Sequence, residues 1–384
     1  EIALNAKQSG EALSAIRLWR DLAPNSEEAA QYLLGFIVLS DNLESARPIF
    51  AQRLNNAKPQ VRGLIMFQVQ RMLARAKDKG AASSMLEDLL SPYKSTPEAH
   101  LALAQGAFSN GDNVRARAEA RTALEMKPDS ELGALTLVQV TPDKNDAAKF
   151  LTSFLAAHPN AREVRIAFAR TLIEQKQYDK ARREFEVLLK TQPEDLSSLY
   201  ALGMLSTQTN DLKSAEKYLT AYLNLLAKDP DNERDPTQAL LVLAQIAEER
   251  KDADEALKWL SQVESGEAYL GAQIKRAQII AKRGDMVAAR ALLTGIKPEG
   301  ELEQAQIVAA EAQLLREANQ TDDALAVLDA GIQRFPNNTD LLYDYAMAAE
   351  KSNHIALMET TLHKVIALAP TSPHAYNALG YSLA

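Results

Sequence analysis

Residues 162–193 read REVRIAFARTLIEQKQYDKARREFEVLLKTQP, and this stretch decides the fold. Phe168, Ala169 and Leu172 recur at helical spacing in its first half, and Ala181, Phe185 and Leu188 in its second. Apolar residues at i, i+3/i+4 and i+7 give each half one buried stripe. Between the halves Gln175 to Tyr178 turn the chain, and Pro193 closes the unit because proline cannot continue a helix. The small side chain of Ala181 lets the two helix backbones approach closely. Helices of a dozen residues are marginal in water by themselves, so such a pair needs neighbours to cover it.

The neighbours are written into the same chain. Ala12 and Ala46 are 34 residues apart, as are Ala82 and Ala116, and so are Ala147, Ala181 and Ala215. Pro159 and Pro193 repeat the interval, as do Pro336 and Pro370, with Pro24 and Pro128 in the same slot. A period of this length means stacked two-helix units, each unable to bury its apolar face alone. The spacing predicts units over 27–59, 60–93, 97–128, 130–159, 162–193, 196–229, 237–265, 270–297, 305–336 and 339–370. Partial units flank them at 1–24 and 373–384, and all are expected to form one array over 1–384. Met358 takes the slot that alanine holds elsewhere. The charged, proline-rich stretch 226–236 lengthens one unit and predicts a loop or a kink. The last stretch ends on Leu379 and Leu383, which suggests that further repeats cover it in the native protein.

Composition narrows the function. Hydrophobic residues make up 46% of the 384, enough for a folded chain, and the net charge of -8 argues against a general nucleic-acid binder. The basic stretches Arg162–Arg165 and Lys180–Arg183 have acidic neighbours and read as solvated helix faces. There is no cysteine, hence no disulfide, no thiolate metal site and no cysteine nucleophile. The five histidines form no HxxxH or HExxH pair, and His158, before Pro159, reads as a residue that satisfies helix-terminal carbonyls. No phosphate-binding glycine loop or nucleophile elbow is present. Glu248 and Glu249 are adjacent on a helix and so point apart, which does not suit an acid/base couple. No enzyme, metal or cofactor is expected, and no apolar run is long enough to span a membrane.

The helix-pair pattern resembles the tetratricopeptide repeat (TPR) family over nearly the whole chain, most closely at 162–193. The resemblance implies an all-α TPR solenoid, antiparallel helix pairs in a right-handed superhelix with a concave wall. It also implies that ligands contact the second, fifth, ninth, twelfth and thirteenth positions of the first helix of each unit. Carried onto this chain, the fifth and ninth positions are Leu101/Gln105, Ile166/Arg170, Tyr200/Met204, Leu241/Gln245, Ile274/Gln278, Ala309/Gln313 and Tyr343/Met347. Glutamine amides both donate to and accept from a peptide backbone, tyrosine adds area with a polar tip, and methionine adapts its shape. No unit pairs lysine at the fifth position with asparagine at the ninth, so the family's clamp for chaperone carboxy-termini is not expected here.

Residues Ala15 to Ser26, together with Asn377-Ala378-Leu379-Gly380-Tyr381, resemble repeat-rich outer-membrane lipoproteins of Gram-negative bacteria. One such group, LbcA-like, recruits a carboxy-terminal-processing protease and presents cell-wall hydrolases to it. That resemblance implies a periplasmic, lipid-anchored adaptor with these proteins as partners. Two alternatives stand beside it: a cytoplasmic assembly scaffold, for example for a secretion, pilus or envelope complex, and a peptidoglycan-binding repeat protein.

Overall fold

A computed structural model describes residues 14–16, 18, 19, 22, 23, 26–39, 43–229 and 232–382. The Ala12 and Pro24 slots, most of the partial unit 1–24, Pro230-Asp231, Leu383 and Ala384 lie outside the described residues. Packing divides the chain into two compact units, Glu1–Pro193 and Glu194–Ala384, and the division falls at one of the unit-closing prolines.

In the first unit the helices are α1 (Glu27–Leu39), α2 (Arg47–Asn56), α3 (Pro59–Leu73), α4 (Lys79–Leu90), α5 (Pro97–Ser109), α6 (Asn113–Met126), α7 (Glu131–Gln139), α8 (Lys144–Ala157), α9 (Arg162–Glu174) and α10 (Tyr178–Thr191). In the second they are α11 (Leu196–Gln208), α12 (Leu212–Leu226), α13 (Thr237–Glu249), α14 (Ala253–Ser261), α15 (Tyr269–Lys282), α16 (Met286–Thr294), α17 (Glu301–Glu317), α18 (Thr321–Arg334), α19 (Thr339–Lys351), α20 (Ile355–Leu368) and α21 (Pro373–Ser382). No strand occurs among the described residues. Odd and even helices from α5 to α20 pair in sequence, and the alanine slot is where each pair closes. Ala116, Ala181, Ala215, Ala256, Ala289, Ala324 and Met358 are fully buried.

One turn recurs within the pairs. Gly111, Lys176, Asn210, Lys251, Gly284, Asn319 and Asn353 all have positive φ, from 57° to 93°. The residue after each donates its N–H to the carbonyl five back, as in Gln177 to Leu172 and Asp211 to Ser206, both at 2.8 Å. This left-handed C-cap satisfies carbonyls that the helix end would otherwise strand. In four of the seven pairs the next residue is an aspartate that caps the second helix: Asp112, Asp211, Asp252 and Asp285 accept from backbone N–H groups three residues on. Two opposite helix ends are thus satisfied within two residues, which keeps the turn short and the pair antiparallel.

The pairs are also tied at their edges. Asn110 at the end of α5 donates to the Lys79 carbonyl at the start of α4, and Gln175 after α9 donates to the Lys144 carbonyl at the start of α8. Arg250 after α13 reaches Glu216 of α12 at 2.6 Å. On α5, His100 lies between Glu119 Oε2 at 2.6 Å and the Lys94 carbonyl at 2.9 Å. Arg165 repeats this on α9, bonded to Glu184 and to the Pro159 carbonyl.

Three local expectations are refined. Ala46 is fully buried but sits in a 3-10 turn, Leu43–Ala46, because Pro48 supplies no N–H and the α-helix begins at Arg47. The stretch after α12 is a loop pinned back on its own unit: Arg234 donates to Ser197 Oγ of α11 at 2.9 Å, and Asp235 accepts from the Thr237 N–H. His158 caps α8 through its backbone N–H, bonded to the Phe154 carbonyl, whereas its ring lies 4.7 Å from the Phe154 ring; the imidazole itself packs rather than caps.

Candidate protein-binding faces

The fifth and ninth positions stand at fixed offsets, 15 and 11 residues, before the buried small residue of the same pair. The first-helix residue that closes on the second helix is a different one, as Gly203 shows by its approach to Leu219 of α12. In the second unit the fifth and ninth positions remain open to solvent. Tyr200, Met204, Leu241, Ile274, Gln278, Ala309, Tyr343 and Met347 are half-buried, while Gln245 and Gln313 are exposed. Ile274, Ala309, Tyr343 and Met347 pack one side against the local core and leave the other free. α15 touches α17 and α17 touches α19, so Ile274/Gln278, Ala309/Gln313 and Tyr343/Met347 occupy neighbouring helices. Arg316 of α17 reaches Asp344 of α19 at 3.5 Å, and Lys275 of α15 reaches Glu248 of α13 at 3.0 Å.

Two of the glutamines are oriented. The Gln245 amide donates to Glu249 at 3.1 Å and the Gln313 amide to Glu317 at 3.0 Å, each one helical turn on. Glu248 and Glu249 therefore serve different partners. The Tyr200 ring lies 5.3 Å from Tyr222, whose hydroxyl is pushed up by burial, with Arg234 opposing. Burial also raises the Asp344 carboxyl, with Arg316 pulling the other way.

The first unit is different. Leu101 is 2% exposed, because α5 has both α3 and α7 against it, so its side chain belongs to the core. Gln105 is half-buried, Ile166 half-buried and Arg170 exposed. α7 contacts both α5 and α9 and separates the first two residues from the last two. Counting back from Ala82 and Ala147 by the same offsets finds residues that motif matching overlooks: Arg71 at a ninth position and Leu132 at a fifth. Leu132 is 45% exposed, as are Leu64 (57%) and Phe108 (38%) at a second and a twelfth position.

The basic stretches are largely paired: Arg162 with Glu163, Arg165 with Glu184, Arg182 with Glu186. Among the described residues no cluster of three metal-ligating side chains occurs, and no helix is long and apolar enough to cross a membrane.

The tetratricopeptide repeat family model matches residues 143–205 and 315–380. The TPR repeat-containing protein PA4667 of Pseudomonas aeruginosa is 36% identical over 142 residues, 37% of this chain and 24% of that protein, so the match spans about a quarter of the relative's length. Among solved structures, YrrB, described as a TPR protein with an unusual peptide-binding site, aligns at 16% identity and TM-score 0.33, over 60% of this chain and 98% of that one. PilW, a type IV pilus biogenesis factor, aligns at 20% identity and TM-score 0.39, over 54% and 93%. The described residues form an all-helical array of packed helix pairs of the tetratricopeptide-repeat type, and two stretches of the chain match that family's model.

Proposed function

We propose that this chain is a non-catalytic adaptor that holds polypeptide partners along the open faces of its first helices. One observation carries the reading. Eleven residues before the buried slot residues Ala215, Ala256, Ala289, Ala324 and Met358 stand Met204, Gln245, Gln278, Gln313 and Met347, and none of these five is buried. A repeated amide and thioether lane with tyrosines nearby suits an extended peptide, whose backbone needs both donors and acceptors.

More specifically, we infer that the protein works in the periplasm, tethered as a lipoprotein. There it brings a carboxy-terminal-processing protease and its cell-wall hydrolase substrates together and raises their effective concentration. The resemblance of Ala15–Ser26 and Asn377–Tyr381 to such adaptors supports this. The test is the rate at which a purified processing protease degrades a cell-wall hydrolase, with and without this chain. Acceleration of about tenfold or more is expected from tethering. It should drop when Gln278, Gln313 and Tyr343 are replaced together by alanine. An unchanged rate on adding the chain would remove the protease role.

A further inference from the structure

The two units carry opposite charge. The first holds 26 lysines and arginines against 23 aspartates and glutamates, the second 17 against 28. On the first-helix face of the first unit, Arg71, Arg75 and Arg170 are exposed and their side chains have no hydrogen bond or ion pair among the described residues. Leu64 and Arg71 lie seven residues apart on α3, which places them on one stripe. The neighbouring helices add Phe108 on α5 and Leu132 on α7, both open to solvent. Of the carboxylates on this face, Glu174 pairs with Lys144 at 2.6 Å and Glu163 with Arg162 at 2.5 Å. Glu98, packed against Gly63, and Asp129 have no ion pair among the described residues and leave the three arginines unmatched.

Resting on the adaptor reading, we propose that this face of the first unit docks an acidic polypeptide segment that also carries apolar side chains. The arginines supply carboxylate partners at no cost of breaking existing pairs. Leu64, Phe108 and Leu132 supply the apolar contacts that a polyphosphate chain would leave uncovered. The second unit, with its glutamine lane and acidic balance, offers no such site. The adaptor therefore selects two partners by different chemistry, one per unit.

The test uses the full chain and a fluorescein-labelled peptide of repeating Glu-Glu-Leu, read by fluorescence anisotropy. Its counterpart with glutamine for glutamate should bind about tenfold more weakly or worse, and added salt should weaken the acidic peptide. Arg71→Gln with Arg170→Gln should cause a similar loss, as should Leu64→Ser with Leu132→Ser, with the circular dichroism spectrum and melting unchanged. Gln245→Ala with Gln313→Ala should leave this binding as it was. The assignment is overturned if the acidic peptide does not bind, if the glutamine peptide or the arginine variant binds equally well, or if a single-stranded oligonucleotide binds as tightly. Any of these beside continued acceleration of hydrolase proteolysis would remove this face alone and leave the adaptor standing.

Discussion

Gly203 of α11 and Leu219 of α12 lie so close that a Cβ on the glycine would stand 2.5 Å from Leu219 Cγ. Leu219 is wholly buried and has nowhere to move. Gly203→Ala should therefore destabilise the second unit by about 1–3 kcal/mol through overpacking. Gly271 lies on the exposed side of α15, where an added Cβ would meet nothing within 4 Å. There Gly271→Ala should stabilise by about 0.5–1 kcal/mol, because alanine has less backbone entropy to lose. Denaturant midpoints of the two variants should move in opposite directions; a common direction would mean that the α11–α12 contact does not control the first.

The helix pairs are readable in the sequence because close backbone approach favours a small residue in one slot of each pair. That slot keeps its offset from the first helix even where the interval between pairs changes, as from Ala215 to Ala256, or where Met358 fills it. Ala46 shows the limit: the slot is visible, but Pro48 changes the helix type around it. The turns are half readable. Glycine at 111 and 284 announces a left-handed residue, whereas Lys176 and Lys251 adopt the same conformation with no local mark, imposed by the helices on either side. At the candidate faces, the ninth-position lane of the second unit follows from the family resemblance, which names the position, and from the buried slot, which fixes its register. The burial of Leu101 does not, because it depends on how closely α3 and α7 flank α5. Arg71 and Leu132 are readable from the offset but not from the consensus, since their own pairs match it loosely.

His100 and Arg165 fill one structural slot with two side chains. Each joins a glutamate 19 residues on to a carbonyl six residues back. His100→Leu would leave Glu119 with only Arg115, 3.8 Å away, and the Lys94 carbonyl without its ring partner. That should cost about 1–3 kcal/mol, the usual penalty for stranding polar groups that are largely buried. His100→Arg should retain most of the stability, because Arg165 shows that the slot accepts a guanidinium. Equal loss in both variants, measured by thermal denaturation, would show that ring packing rather than the polar tie matters.

Damage in a repeat array stays near its source, since each pair touches mainly its neighbours. Ala181 is fully buried between α9 and α10. Ala181→Glu places a carboxylate there without a partner and should cost on the order of 3 kcal/mol or more. Hydrogen exchange should accelerate first in α9 and α10, while amides of α17 to α20 keep their protection. Uniform acceleration along the chain would contradict nearest-neighbour stability.

Acid should loosen the α4–α6 link. Arg115 Nη2 lies 2.7 Å from Glu87 Oε2, and this hydrogen bond holds the Glu87 carboxyl below its ordinary value, with burial opposing. A carboxyl whose folded pKa is depressed contributes stability above its unfolded value and loses it as pH falls through the folded one. The contribution is therefore present at neutral pH and disappears on acidification below the usual glutamate range. Because Glu87 remains well exposed, the effect on global stability is small. Its titration is the sensitive readout: carbon NMR of the side-chain carboxyl should place the Glu87 midpoint below that of free glutamate. Arg115→Gln should move it upward, with Lys94, 3.5 Å away, retaining a lesser pull. A midpoint unmoved by Arg115→Gln would show that the two side chains do not pair in solution.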